Sequence, residues 1–255
     1  MRRRPTKRQI AGSMCILAAV AAAGYWWSPH VWWAYIVARN HVTIPSVPVA
    51  ELKAPGKTEG WYDCRIGPLS LKLPPELIEK ADSSTAKSTI EFKGRDVELS
   101  IHIPYKVPET SRDSLALIAS ELKLSPTRLI AESYRASTDD FRWTMSHRAL
   151  RRHQILLSLV GLFPHGMATS VETQFGASLE GILVIDDRTM AAFQWRSTSG
   201  IAAGALTCTG PTNELDLGMV RDICHSLSCD ETRLGPEYSK KDLMEMLDTM
   251  EAVRK

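Results

Sequence analysis

From Gln9 to Ala38 no side chain carries a formal charge, and Ile10 to Trp27 forms 18 residues interrupted only by Gly12 and Ser13. As a helix that run is about 27 Å long, close to the hydrocarbon thickness of a bilayer. Arg2, Arg3, Arg4, Lys7 and Arg8 precede it. Cationic flanks stay on the cytoplasmic side, so the pattern predicts a basic tip (1–8) and a transmembrane signal-anchor (9–28). The rest of the chain is then expected outside the cytoplasm. Tyr25, Trp26, Trp27, Trp32, Trp33 and Tyr35 crowd the far end and read as an interfacial belt. Ser28-Pro29 reads as an N-cap followed by proline at the first helical position, which predicts a second short helix over 29–40. A cleaved signal peptide competes with the anchor, because Ala19-Val20-Ala21 and Ala21-Ala22-Ala23 both fit small-x-small cleavage. Both readings export the domain.

Beyond the aromatic residues the periodicity changes. Residues 41–60 hold Pro45, Pro48, Pro55, Gly56 and Gly60 and read as an extended linker, with a proline-interrupted edge strand as the alternative. A folded domain is expected over 61–230. Ile66, Leu69, Leu71 and Leu73 alternate as one strand up to Pro74-Pro75. Segments 88–92 and 96–103 flank Lys93-Gly94-Arg95 as a hairpin, with Val97, Leu99, Ile101 and Ile103 on one face and Glu98, Ser100 and His102 on the other. Leu115, Ile118, Ala119 and Leu122 recur at helical spacing over 111–122, and Ser125-Pro126 opens another helix to about Arg135. Residues 144–163 form the longest internal helix, cationic first and apolar after. Strands are expected over 167–175, 181–185, 190–195 and 201–209, and a helix over 215–227. Strands clustered at both ends with helices between them predict an α+β fold with a central antiparallel sheet packed with helices, preceded by the transmembrane helix. After Gly235-Pro236, residues 231–255 end in an amphipathic helix. Its apolar face (Leu243, Met246, Leu247, Met250 and Val253) is a candidate partner-binding surface.

Charge adds one exclusion. Removing the five cations of the tip from the 31 basic residues leaves 26 against 29 acidic ones, a balance of about −3. A nucleic-acid reader carries its basic excess on the folded domain, so that class of partner is not expected. The expected partners are the lipid bilayer and a membrane protein.

Cys64, Cys208, Cys224 and Cys229 fall in the exported part, where four cysteines allow three pairings. The favoured set is Cys224–Cys229 with Cys64–Cys208. Cys224-His225 with Cys229 lacks paired short spacings and a fourth ligand, so no zinc is expected. The chain contains no His-Glu-x-x-His, phosphate-binding loop or dinucleotide fingerprint. Residues 176–181 (GASLEG) are one residue too long for a nucleophile elbow. His147 and His153 are six apart, which is not ligand spacing on one helical face. Asp139-Asp140 and Asp186-Asp187 stand where turns are expected. No catalytic, cofactor-binding or metal residue is assigned.

The opening GPLSLKLPPEL, the later meander GILVIDDRTMAAFQWRSTSGIAAGALTCTG and a final helix ending in HSL together resemble the PsbP-like superfamily over about residues 61–229. These are extrinsic photosystem proteins and bacterial lipoprotein relatives with a central antiparallel sheet between helices. The helix around 146–162 departs from that pattern. The resemblance implies a binding or assembly module. The expected function is therefore a membrane-anchored, extracytoplasmic binding or assembly factor, with an exported hydrolase-like enzyme as the alternative.

Overall fold

The computed structural model describes residues 7–39, 44–53, 56, 58–78, 82–86, 89–94, 97–160, 168–186, 189–210 and 215–234. The chain forms two compact units. One comprises Met1–Ser46 and Ala136–Leu159, the other Val47–Arg135 and Val160–Lys255.

The first unit is built on α1 (Lys7–Arg39) and α5 (His147–Val160). The two helices expected on either side of Ser28 are one: α1 continues through Pro29. The missing proline N–H costs one helical hydrogen bond, and Ser28 Oγ instead donates to the Tyr25 carbonyl at 3.1 Å. Among the described residues no helix is long and apolar enough to cross a membrane. The side chains of residues 1–19, which hold most of the apolar run, lie outside that description. Between the helices Ser137 opens a short 3₁₀ turn (Thr138–Asp140) with a reciprocal cap: its hydroxyl accepts from Asp139 N and its N–H donates to Asp140 Oδ2. The Asp139-Asp140 pair is thus a capping device, as expected of turn acids.

The second unit is α+β, with a large sheet packed with helices, and the sheet is mixed rather than antiparallel. Its path is β1 (Val49–Glu51), β8 (Ala168–Phe175), β9 (Leu179–Asp186), β10 (Met190–Ser197), β11 (Ala202–Thr209), β6 (Glu98–His102), β5 (Thr89–Lys93) and β4 (Asp82–Ala86). A ninth strand, β7 (Tyr105–Lys106), pairs with β11. The parallel pair comes from the proline-rich segment: β1 runs alongside β8, with Val49 opposite Val171. Val47 and Leu52 flank β1 and are buried, so the edge-strand alternative for 41–60 is the one realised. Pro48 precedes the first residue of the strand and costs no ladder bond, since its carbonyl accepts from Val171 N at 2.9 Å.

The single strand expected before Pro74 is a hairpin of β2 (Tyr62–Ile66) and β3 (Leu69–Leu73). It reverses at Gly67, whose φ of 58° falls in the region that favours glycine. With β12 (Ser228–Cys229) these strands form a second, three-stranded sheet. β4 was not foreseen; its sequence, DSSTA, carries no apolar alternation.

Alternation along β9, β10 and β11 divides the large sheet into two faces. Leu183, Ile185, Ala191, Phe193, Trp195, Ala202, Leu206 and Cys208 enter the main core, with Leu69, Leu71 and Leu73 of β3 and Val220, Ile223 and Cys224 of α6 (Leu217–Ser226). Each fully buried Leu, Ile or Phe contributes about 1.5–3 kcal/mol. α6 begins at Asp216, whose carboxylate accepts from Gly218 N and Met219 N. A short helix, α2 (Pro75–Ile78), buries Leu77 and Ile78 in the same core. The opposite face is covered only in part. There α4 (Pro126–Arg135) packs on β1, β8 and β9, and α3 (Glu109–Glu121) packs on α4. Tyr134, Val171, Ile182 and Val184 form a smaller core beneath α4.

Candidate functional site

On this partly covered face lies a cavity of about 700 Å³. The ladder places Glu180 of β9 opposite Arg196 of β10, Arg196 opposite Ala203 of β11, and Ala203 opposite Tyr105 of β7. The neighbouring row runs Ile182, Gln194 and Ala205. All seven line the cavity, together with His102, the last residue of β6. Leu115 of α3 and Pro126, Thr127 and Ile130 of α4 complete the wall. The space exists because β11 presents two methyl groups, Ala203 and Ala205, where its neighbours present long side chains. A mostly apolar concavity with a few convergent polar groups is the usual form of a small-molecule site.

The polar groups are unequally satisfied. Ser125 is the N-cap of α4 and accepts from Arg128 N at 3.3 Å. Its hydroxyl also donates to Glu180 Oε2 at 3.2 Å, so Glu180 answers the positive end of α4. Arg196 has no such answer: its Nη1 is buried and has no hydrogen-bond partner among the described residues. Burial lowers this guanidinium from its ordinary pKa, and Tyr105 acts in the opposite direction. Arginine remains protonated even so. One buried donor of this half-buried cation is left without an acceptor, which singles out Arg196 among the polar groups lining the cavity. Trp195 Nε1 is also buried without a partner, but the Trp195 side chain belongs to the main core.

The hydrogen bond described at Glu180 joins it to Ser125, a helix cap, and leaves His102 outside. The serine of GASLEG, Ser178, accepts from Cys229 N at 3.2 Å, which ties the β8–β9 turn to β12.

The expected disulfides are not formed. Cys64, Cys208, Cys224 and Cys229 are free thiols, although all four belong to or pack against the main core. They stand on β2, β11, α6 and β12, so spacing in sequence was no guide to pairing. Burial, with help from Asp63, pushes the Cys64 thiol up to about 12, and burial alone takes Cys208 to about 12. Burial raises Cys224 well above its ordinary value. Burial, Glu231 and Asp230 raise Cys229 to about 11. Such thiols are poor nucleophiles near neutral pH, and Cys229 is the least buried of the four. Among the described residues no group of three or more His, Cys, Asp or Glu side chains is placed to hold a metal ion. The proposed partner-binding face, Leu243, Met246, Leu247, Met250 and Val253, lies outside the described residues.

In the first unit the aromatic belt divides between two sides of α1. Trp26 stacks on His147 at 4.3 Å, Trp27 lies 6.2 Å from Trp143, and Trp33 meets the His153 ring edge-to-face at 6.1 Å. His30 is fully buried among them; its Nε2 lies 2.8 Å from the Met145 carbonyl. Tyr25, Trp32 and Tyr35 are exposed, the last two stacked on each other, and Trp26 and Trp27 keep 51% and 40% exposure beside their ring contacts. His147 and His153 are therefore packing partners of tryptophans.

Sequence reasoning placed His102 on the solvent-side face of its strand but missed Glu180, Gln194 and Arg196. The available signal was the alternation of β10, where Gln194 and Arg196 interrupt an otherwise apolar strand two residues apart. No protein-family model matches this chain and no curated protein matches it, so the functional reading has to come from the cavity's own residues.

Proposed function

We propose that this chain is a membrane-anchored, extracytoplasmic binding protein whose α+β domain captures a small molecule between the large sheet and the helices α3 and α4. The observation that carries the reading is the cavity of about 700 Å³ with the unpartnered Arg196 guanidinium nitrogen in its lining residue. A volume of that order suits one small ligand. The PsbP-like resemblance points to the same class of role.

The anchor belongs to this proposal. The 18-residue uncharged run behind a basic tip is of spanning length, and Tyr25, Trp32 and Tyr35 offer an exposed aromatic side suited to headgroups. Held this way, the second unit faces the space outside the cytoplasm.

Native mass spectrometry of the full chain, released gently from its own membrane, tests the binding role. The expected spectrum shows one small molecule retained per chain. A bare chain, together with no thermal shift in a broad panel of small metabolites, would remove the binding reading. Extraction of the intact protein from membranes by alkaline carbonate would remove the anchor and leave the cavity reading standing.

A further inference from the structure

We infer that the cavity selects an amphiphilic anion, a molecule with a carboxylate or phosphate head on an apolar body. This rests on the binding reading above and specifies the ligand's chemistry. The two rows across the sheet differ in character. One carries Glu180, Arg196 and Tyr105, the other Ile182, Gln194 and Ala205.

The charge balance decides the head. Two full charges line the cavity on adjacent strands, Glu180 and Arg196. Glu180 is engaged by the Ser125 hydroxyl at 3.2 Å and stands at the positive end of α4. Arg196 Nη1 is buried and donates to nothing among the described residues. The Arg196 side chain lines the cavity and makes no hydrogen bond or ion pair among the described residues, and a carboxylate or phosphate supplies a partner to the guanidinium atoms that face the cavity through charge-assisted bonds. A ligand ammonium has no comparable vacancy, because Glu180 is already bonded and Arg196 lies opposite it.

The apolar body follows from the remaining wall. Ile182, Leu115, Ile130 and the methyls of Ala203 and Ala205 offer hydrocarbon and no hydrogen bonds. A small inorganic anion fills little of about 700 Å³ and leaves that surface wet. A highly hydroxylated ligand strands its polar groups there. An anion with an attached ring or chain satisfies both ends.

Calorimetry on the full chain in detergent, with three isosteric probes, separates the alternatives: 3-phenylpropionate, 3-phenylpropan-1-ol and 3-phenylpropylammonium. The carboxylate is expected to bind about tenfold or more tighter than the alcohol, and the ammonium more weakly than both. Arg196→Met should remove most of the carboxylate's advantage over the alcohol, and an unchanged thermal melt of the variant reports that the fold is intact. Arg196→Lys should retain part of the preference. Equal binding of carboxylate and alcohol by the native chain would overturn the inference. So would an Arg196→Met variant that keeps the preference, or one that loses both probes together with Arg196→Lys. If all three probes fail while native mass spectrometry retains a neutral or cationic molecule, the ligand class is wrong and the binding role survives. Inorganic phosphate competing as strongly as 3-phenylpropionate would refute the apolar body and retain only the anionic head.

Discussion

Arg221 of α6 grips Glu172 of β8 through two nitrogens, Nη2 at 2.6 Å from Oε1 and Nε at 2.9 Å from Oε2. The Glu172 side chain is 9% exposed, so the fork stands in for most of the water it has lost. Donating to Glu172 raises the Arg221 pKa further. Removing one partner strands the other in a poorly solvated place. Arg221→Ala is expected to cost about 3 kcal/mol in chemical denaturation. The Glu172→Gln, Arg221→Met double variant should recover much of that loss, because no buried charge remains unpaired.

Gly181 sits beneath the ring of Phe193. A Cβ built on it would lie 2.0 Å from Phe193 Cζ, and the next ring atoms are at 2.5 and 2.8 Å. The ring is fully buried and cannot retreat without displacing the core. Gly181→Ala should therefore destabilise the second unit by about 1–3 kcal/mol. The paired change Gly181→Ala, Phe193→Leu should be less harmful than the first change alone. Urea melts of the three variants decide it.

Much of the second unit was legible because its strands alternate cleanly. Leu99 and Ile101 point inward and Glu98 and His102 outward, as the pattern of β6 requires. The β10–β11 meander was visible for the same reason. Two features escaped. Ile66 and Leu69 both read as inward positions of one strand, and only the positive φ of Gly67 separates them into a hairpin. Val49–Glu51 stood only as the alternative reading of its segment, because Pro48 and Pro55 flank it and its pairing with β8 depends on an edge more than 100 residues away. The cavity was less legible still. It arises from the register that aligns Glu180, Arg196, Ala203 and Tyr105, and register is a property of four strands together. The helix break expected at Pro29 failed because proline removes one bond from a helix of 33 residues, too little to divide it.

Ala205→Leu tests whether the cavity is the site. The added carbons project from β11 onto the cavity face, away from Leu206 and Cys208 in the core. Ligand retention should disappear while thermal stability changes little, by under about 1 kcal/mol. Loss of both together would mean that the position is structural.

Acid should weaken the first unit through His153. Burial lowers its pKa from the ordinary 6.5, with Asp140 acting in the opposite direction. The folded chain therefore takes up a proton less readily than the unfolded chain. Stability from this group is full above about pH 6.5 and declines as pH falls through the lowered value. Amide protection factors in α5, corrected for the intrinsic pH dependence of exchange, should fall as pH drops from 7.5 to 5, and His153→Phe should flatten that dependence.

Thiol labelling offers a third reading of burial. At pH 8, iodoacetamide should modify Cys64, Cys208 and Cys224 only after denaturation, with Cys229 the first of the four to react as pH rises. Raised thiol pKa values stabilise the fold below about 9 and lose that effect as pH climbs toward 12. Mass-mapped disulfides among these four in the native protein would contradict the free-thiol structure.

β11 sends Ala202, Leu206 and Cys208 into the main core and Ala203 and Ala205 into the cavity. One strand thus carries two independent alphabets, interleaved residue by residue. Letters in the first are constrained by whether the chain folds at all. Letters in the second are spared that demand. On the proposed binding reading, one codon at 203 or 205 resizes the chamber and one at 194 or 196 changes its polarity, while the letters that β11 spells into the core are left unedited.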